Sequence, residues 1–231
     1  MSNDFFVFFD IGFTLLGGPN MGPVRRLLES LDIPLVQKKK LTDTLFCHPW
    51  QNADELAFFL RNNFAIHLAQ VEATVRSLWE SQKEEAYVLP GVRQLLDGLT
   101  SAGVAFGFLS NIWTPFYEGF TRHFPQEAQN RPCFPSYRYR MAKPDPEFYR
   151  YALQQVGIPP ARAVMIGDTY QMDILPAQRL GMKTIWILHR PHKELEDILG
   201  ILNGELPPAD LTLDAIGSLR LHHIQKWFNP S

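Results

Sequence analysis

Short apolar runs and amphipathic stretches alternate along most of this 231-residue chain. The first run, Phe5–Phe9, is continuous rather than alternating, is dominated by phenylalanine and stops abruptly at Asp10. A run of this length with no polar position is typical of a strand whose two faces are both buried, as in a parallel sheet. The pattern therefore predicts a buried strand near the start of the chain, with Asp10 at its carboxyl end.

From Pro90 onward the chain repeats a unit of helix, glycine, apolar strand and polar residue. Helices are predicted near residues 90–102, 146–156 and 173–180, and strands at 104–109, 163–166, 183–188 and, at an edge, 211–213. Asp145 is the expected N-cap of the second helix, and Gly157 is its expected stop. Strands that alternate with helices predict right-handed βαβ units. We therefore expect an α/β core with a doubly wound parallel sheet.

The stretch from residue 16 to residue 89 does not follow this repeat. It reads as several amphipathic helices, whose apolar positions are Val24, Leu27, Leu28 and Leu31, then Leu56, Phe59 and Leu60, and then Leu68, Val71, Val75 and Leu78. We interpret it as an inserted helical cap domain, residues 16–89, above a core domain formed by residues 1–15 and 90–231.

Polar residues follow the predicted strands where each strand ends. Asp10 follows the first strand, Ser110 and Asn111 follow the second, and Asp168 follows the third. Open α/β sheets bind their ligands at the carboxyl ends of their strands. These side chains are therefore expected to converge on one crevice.

Composition narrows the classes of partner. The net charge of −2 gives no global reason to expect nucleic acid or an anionic membrane surface as a partner. No apolar run approaches the ~20 residues of a membrane helix, and the first residues lack the features of a secretory signal. Cys47 and Cys133 have no CxxC spacing, which argues against a disulfide framework or a zinc site. We expect a cytoplasmic protein, with its oligomeric state left open.

Four segments, at residues 10–14, 110–111, 143–144 and 167–173, together carry a family resemblance. In their order, spacing and position relative to the strands they resemble the motifs of the haloacid dehalogenase-like (HAD) hydrolase superfamily. The resemblance covers essentially the whole chain. The predicted insertion after the first motif is similar to the helical cap of the dehalogenase and phosphoglucomutase branch.

The resemblance implies a Mg²⁺-dependent phosphatase acting on a small phosphorylated metabolite. Asp10 would be the nucleophile, and the ligands of Mg²⁺ would be Asp10, the carbonyl of Gly12, Asp168 and Asp173. A cation is physically required, because a carboxylate attacks phosphorus only when the charges of both groups are screened. Attack would give an aspartyl-phosphate that water then hydrolyses.

The remaining motif residues would support this chemistry. Lys143 would neutralise Asp10 and the phosphoryl oxygens, and Ser110 would donate a hydrogen bond to those oxygens. Asn111 would do likewise or would cap the following turn. Thr14 is expected to buttress the loop around Asp10.

Gly12 departs from the family pattern. Phosphatases of the superfamily usually carry an aspartate here, which protonates the leaving group and then activates water. Its loss removes a contribution of ~10²–10⁴-fold. A slow phosphatase, an ester whose leaving group needs little protonation, or a proton donor from the cap such as His48 or His67 would each accommodate glycine.

Two other classes remain open. The protein could bind a phosphorylated ligand or a partner without turnover. It could also be a carbon–halogen hydrolase, because dehalogenases lack the second aspartate too, although the retained Asp168 and Asp173 favour a metal. Phosphonate-cleaving relatives would need a cap lysine, and nothing selects one of Lys38, Lys39 and Lys40.

The loop Cys47–Asn52 would recognise the substrate or, as we favour, merely connect cap helices.

Overall fold

The computed structural model describes residues 5–64, 66 and 70–228. Within them a six-stranded parallel sheet has the order β5-β4-β1-β6-β7-β8. Its strands are β1 (Phe6–Phe9), β4 (Ala105–Ser110), β5 (Cys133–Pro135), β6 (Ala163–Gly167), β7 (Lys183–Ile187) and β8 (Leu211–Leu213). The α/β fold with a doubly wound parallel sheet, expected from the sequence, is confirmed.

The apolar run at residues 5–9 forms the middle of the sheet. Phe6 pairs with Ala105 of β4 on one side and with Ala163 of β6 on the other, and every residue of β1 is buried. Successive side chains point to opposite faces. Phe5, Val7 and Phe9 join one apolar cluster, whereas Phe6 and Phe8 join another. A continuous apolar strand is the consequence of having both faces covered.

Helices cover both faces of the sheet. After the insertion they are α5 (Val92–Ser101), α6 (Thr114–His123), α7 (Pro125–Asn130), α8 (Ser136–Tyr139), α9 (Pro146–Val156), α10 (Leu175–Arg179), α11 (Leu195–Leu202) and α12 (Leu221–Gln225). The side chain of Asp145 caps α9 by accepting a hydrogen bond from the Glu147 amide, and Gly157 ends it with a positive φ of 69°. Both signals were predicted. A π-helical turn, Tyr170–Ile174, precedes α10 where a plain helix start was expected.

The predicted helical insertion is present between β2 (Leu16–Gly17) and β3 (Tyr87–Val88), which pair antiparallel. Its helices are α1 (Pro23–Ser30), α2 (Lys38–Phe46), α3 (Ala53–Asn63) and α4 (Val71–Glu84). A Cβ at Gly17 would lie 2.3 Å from the ring of Tyr87, so a larger residue there would require this exposed ring to move. Leu68, assigned to the third predicted helix, lies outside the described residues. The boundaries of a separate cap domain stay a prediction.

One apolar cluster joins the insertion to the sheet. Leu27, Leu56 and Leu78 belong to the same buried cluster as Val7 and Phe9. Contacts between α4 and α6 lie within this layer. The insertion is therefore packed on the core around the carboxyl edge of the sheet. No helix in the described part of the chain is long and apolar enough to cross a membrane.

Candidate active site

Three carboxylates meet at the carboxyl edge of the sheet. Asp10 directly follows β1, Asp168 directly follows β6, and Asp173 lies in the π-helical turn. Each offers an oxygen within 4.8 Å of the others, and all three residues are buried. The structure thus brings together three of the four metal ligands predicted from the sequence. The fourth, Gly12, lines the same cavity.

Gly167 allows Asp173 to enter this cluster. A Cβ at position 167 would lie 2.2 Å from the carboxyl carbon of Asp173, far inside any real contact distance. Asp173 Oδ2 also accepts a hydrogen bond of 3.0 Å from the Thr169 amide. The Gly-Asp pair at the end of β6 therefore supplies one carboxylate and leaves room for another.

Lys143 bridges two of the three carboxylates. Its Nζ lies 2.7 Å from Asp10 Oδ1 and 2.5 Å from Asp173 Oδ1, and its side chain is buried. Burial alone would lower the pKa of Lys143, but the charges of Asp10 and Asp173 outweigh it and raise the pKa. Lys143 is therefore held as a cation. It neutralises part of the charge that would repel a phosphate.

Asn111 fixes the backbone of Lys143. Asn111 Nδ2 donates to the Lys143 carbonyl at 2.7 Å, and the Lys143 amide donates to Asn111 Oδ1 at 2.8 Å. The side chain of Asn111 is thus engaged by a residue 32 positions away. Its predicted contact with phosphate stays a prediction, whereas its contact with Lys143 is a positioning role that the sequence did not indicate.

Arg190 is a member of the site that sequence reasoning missed. Its Nη2 lies 2.5 Å from Asp168 Oδ2, and its guanidinium lies 3.3 Å from the centroid of the Phe13 ring. The only available signal was its place shortly after β7, at the same edge of the sheet as Asp10. Arg190 and Lys143 together supply two positive charges to three carboxylates.

The cluster keeps an excess of negative charge. Burial, followed by repulsion from Asp10 and Asp173, raises the pKa of Asp168 to about 7 despite the contact with Arg190. Burial also raises the pKa of Asp173 to about 6, although Lys143 acts in the opposite direction. A divalent cation would relieve this repulsion. The donors are hard carboxylate oxygens, the kind that Mg²⁺ prefers, so the residues present fit this metal.

The hydroxyls of Ser110 and Thr14 are both buried and have no hydrogen-bond partner among the described residues. Ser110 ends β4, the strand beside β1, but the described residues that line the cavity include Asn111 and not Ser110. An unsatisfied buried hydroxyl costs about 1–3 kcal/mol, so a partner for the Ser110 hydroxyl would be favourable. The predicted contact of Ser110 with phosphoryl oxygens stays a prediction.

Thr14 differs from the expectation that its hydroxyl buttresses the first loop. The loop is held instead by backbone hydrogen bonds. The Phe13 amide donates to the Leu16 carbonyl at 2.6 Å, and the Leu15 amide donates to the Ile11 carbonyl at 3.0 Å. The loop can close on itself because Phe13 adopts a positive φ of 56°. The role predicted for the Thr14 hydroxyl has no contact to support it.

Gly12 lies in open space. A Cβ built there meets no atom within 4 Å, and Gly12 has no positive φ. Neither crowding nor backbone conformation among the described residues therefore requires glycine. An aspartate at this position would point into room that the fold already provides.

The cap residues considered as proton donors or as a Schiff base do not line the cavity where described. The rings of His48 and Trp50 are in tilted contact, with centroids 4.0 Å apart, and Trp50 Nε1 donates to the Thr44 carbonyl. Lys38, Lys39 and Lys40 are exposed on α2. His67 lies outside the described residues. The loop at residues 47–52 connects helices and contacts the core through Thr114, whose hydroxyl donates to the Trp50 carbonyl.

The comparisons with known sequences find a hydrolase family model, a phosphatase and a nucleotidase. Residues 140–198 match the model of the HAD-hydrolase-like family. The chain is 39% identical over 62 residues to a glyceraldehyde 3-phosphate phosphatase from Methanocaldococcus jannaschii, covering 27% of each chain. It is 27% identical over 173 residues to a pyrimidine 5′-nucleotidase from Streptococcus pneumoniae, covering 73% of this chain and 65% of that one. The chain thus spans about a quarter of the archaeal relative's length.

Solved structures share the fold. A HAD family enzyme from Bacteroides thetaiotaomicron, in complex with magnesium and inorganic phosphate, has a TM-score of 0.56 at 18% identity, covering 78% of this chain and 91% of that one. A 2-haloacid dehalogenase from Pseudomonas syringae has a TM-score of 0.58 at 16% identity, covering 95% and 97%. At these identities the likeness concerns architecture alone.

Proposed function

We propose that this chain, which belongs to the haloacid dehalogenase-like hydrolase superfamily, is a cytoplasmic Mg²⁺-dependent phosphatase of small phosphorylated metabolites. The observation that carries the proposal is the bridge made by Lys143 between Asp10 and Asp173, next to Asp168. The curated relatives named above act on a triose phosphate and on pyrimidine nucleotides, as their names state, which supports the same class of reaction.

In this proposal Asp10 attacks the phosphorus through a carboxylate oxygen. Lys143 offsets the charge of Asp10 and of the phosphoryl group, and the unpartnered hydroxyl of Ser110 donates to a phosphoryl oxygen. Mg²⁺ held by Asp10, Asp168, Asp173 and the Gly12 carbonyl would screen the remaining negative charge. The aspartyl-phosphate on Asp10 is then hydrolysed, which regenerates the carboxylate.

A binding protein without turnover is the second candidate, and Gly12 is the observation that favours it. The residues described around the cavity include no histidine, glutamate, cysteine or tyrosine that would replace an acid at position 12. Carbon–halogen hydrolysis is the third candidate. The shared architecture with a dehalogenase does not favour it, because the acidic cluster is suited to a metal that such chemistry does not require.

The test is hydrolysis of p-nitrophenyl phosphate with and without Mg²⁺ by the wild type, Asp10→Asn and Gly12→Asp. The proposal expects metal-dependent turnover that falls at least ~10³-fold in Asp10→Asn. Asp97→Asn, an exposed change on α5, serves as the control and should keep full activity. Turnover that persists in Asp10→Asn or ignores the metal contradicts the proposal. A silent wild type with an active Gly12→Asp variant supports the binding protein, and halide release from a haloacid without metal supports the dehalogenase.

A further inference from the structure

The cavity above Asp10 has an apolar wall. Its volume is about 260 Å³, compared with roughly 150 Å³ for a cavity that holds benzene. Large apolar side chains come to it from the cap, the first loop, the start of α6 and the π-helical turn, namely Phe46, Phe13, Trp113, Phe116 and Met172. The space can therefore hold an aromatic ring in addition to a phosphate.

The polar side-chain atoms of Trp113 and Gln82 on this wall are already engaged. Trp113 Nε1 donates to Gln82 Oε1 at 3.1 Å, and Gln82 Nε2 donates to Glu85 Oε2 at 2.9 Å. Both Trp113 and Gln82 are buried. A hydroxyl-rich leaving group would lose its hydrogen bonds to water here without replacement, which is unfavourable. The wall favours an apolar group.

A second anionic group would also lack a partner. Among the described residues around the cavity, the cationic side chains are Lys143 and Arg190. Each is bonded to a carboxylate of the cluster, Lys143 to Asp10 and Asp173, and Arg190 to Asp168. Both charges are committed to these ion pairs, and Nε of Arg190, although it has no hydrogen-bond partner among the described residues, is buried. A carboxylate or second phosphate on the leaving group would have to compete with Asp168 for this guanidinium, so an uncharged group is favoured.

The described residues around the cavity offer the leaving oxygen no uncommitted carboxylic acid. The carboxylates there are Asp10, Asp168 and Asp173, each needed as nucleophile or metal ligand in the proposed function. Lys143 is bonded to Asp10 and Asp173 rather than directed at a leaving group. A phenolic oxygen, with a pKa of about 10 like that of tyrosine, departs as an anion far more readily than an aliphatic alkoxide.

We propose that this protein hydrolyses monophosphate esters of uncharged aromatic hydroxyl compounds. The proposal rests on the proposed function and names its class of substrate. A carboxylate oxygen of Asp10 forms the new O–P bond, and the bond between phosphorus and the phenolic oxygen breaks. The electron pair of that bond stays on the phenolate, which takes its proton from water after it departs. Water then cleaves the aspartyl-phosphate to give inorganic phosphate and free Asp10.

The first experiment measures kcat/KM for a series of phenyl phosphates with graded leaving-group pKa and for alkyl phosphates, in the wild type and in Gly12→Asp. The wild type should show a steep fall with leaving-group pKa and little alkyl turnover. Gly12→Asp, for which the cavity has room, should raise alkyl kcat/KM by about 10²-fold or more and change aryl kcat/KM much less. Equal slopes in the two proteins, or a wild type that prefers alkyl esters, overturn the proposal.

The second experiment tests the wall independently of the missing acid. Phe46→Leu and Phe116→Leu should raise KM for naphthyl phosphate by about 3–10-fold. In the Gly12→Asp background, where alkyl turnover is expected to be measurable, the same changes should alter KM for ethyl phosphate much less. Phe58→Leu is the matched control, because Phe58 is 72% exposed on a neighbouring cap helix. No change of KM in either wall variant overturns the proposal, as does a preference for esters with a second anionic group.

Failure of this inference is distinguishable from failure of the proposed function. Metal-dependent turnover that requires Asp10 but is indifferent to the leaving group removes the inference and keeps the phosphatase. Absence of turnover with every ester, in the wild type and in Gly12→Asp, removes both.

Discussion

Gly167 shows how one residue without a side chain determines the position of a charged one. The carboxylate of Asp173 occupies the space where a Cβ at position 167 would stand. A glycine in a strand normally weakens it. Here it lets two carboxylates from one short segment converge, and Lys143 compensates part of their repulsion.

We expect Gly167→Ala to disturb the acidic cluster, since the added methyl group must displace Asp173. The proposed Mg²⁺ site predicts that Mg²⁺ raises the melting temperature of the wild type by binding to the folded state, and this rise should be lost or strongly reduced in Gly167→Ala. Differential scanning fluorimetry measures it. Gly98→Ala is the control, because a Cβ there meets nothing within 4 Å and alanine stabilises a helix interior by up to about 1 kcal/mol. An unchanged Mg²⁺ response in Gly167→Ala would contradict this account.

Arg190 places a positive charge beside Asp168, one of the proposed ligands of the metal. Its guanidinium contacts Asp168 and lies over Phe13, so it both neutralises the carboxylate and repels an approaching cation. Arg190→Gln should therefore bind Mg²⁺ about tenfold more tightly at pH 8, the equivalent of one pKa unit of electrostatic interaction. Isothermal titration calorimetry gives the affinity.

The matched control for Arg190 is Arg150→Gln. Arg150 pairs with Glu147 on the surface and its side chain is 55% exposed. Its removal should leave the affinity for Mg²⁺ unchanged. Weaker binding of Mg²⁺ in Arg190→Gln would show that the arginine organises the metal site rather than competing with the metal.

Among the elements, α9 has the clearest sequence signals. Asp145 was expected as its N-cap and Gly157 as its stop, and both have those roles. The helix begins three residues after Lys143, so the position of its first turn influences where Lys143 lies. Local chemistry of this kind can be read without knowing the fold.

Asp145→Ala should lower the free energy of unfolding by about 1 kcal/mol, the usual effect of removing an N-cap. Urea denaturation followed by far-UV circular dichroism measures the change. Asp97→Ala is the control, because Asp97 is exposed inside α5 and alanine is a good helix former there. An unchanged midpoint for Asp145→Ala would mean that packing alone positions the start of α9.

Other elements were not predicted, for identifiable reasons. α6 follows β4 and carries Pro115 at its start, and its aromatic positions did not stand out beside the strand before it. β5 has three residues and includes Pro135, as an edge strand allows. α2 begins with the three exposed lysines, whose charge obscured the buried Leu41 and Leu45.

Asp10 and Asp168 could be anticipated because each directly follows a strand, and Asp173 because it lies five residues after Asp168 in the same motif. Arg190 and the role of Asn111 could not. Arg190 reaches Asp168 across 22 residues, and Asn111 bonds to Lys143 across 32. Contacts of this range depend on the side-chain directions that the packed fold imposes, and no local pattern records them.

For the whole molecule, the joint between insertion and core is aromatic and buried. Trp79 of α4 lies edge-on to Trp113, with ring centroids 5.6 Å apart, and both are buried. These are two of the five tryptophans, so the difference in fluorescence between the wild type and Trp79→Phe reports on this joint, whereas far-UV circular dichroism reports on all helices and strands. We expect the two signals to change at the same temperature, as two-state unfolding requires. A fluorescence midpoint clearly below the other would show that the insertion detaches first.

The single apolar layer that joins the insertion to the sheet has a consequence for modularity. Leu27, Leu56 and Leu78 share their buried environment with Val7 and Phe9, so the interior of the insertion is continuous with one of the apolar layers of the core. Excising the insertion would expose the residues of that layer that now pack against its helices. Replacing the whole insertion would therefore require the core residues that it contacts to change as well. Specificity in this chain should therefore change more readily through single wall residues such as Phe46 than through exchange of the whole insertion.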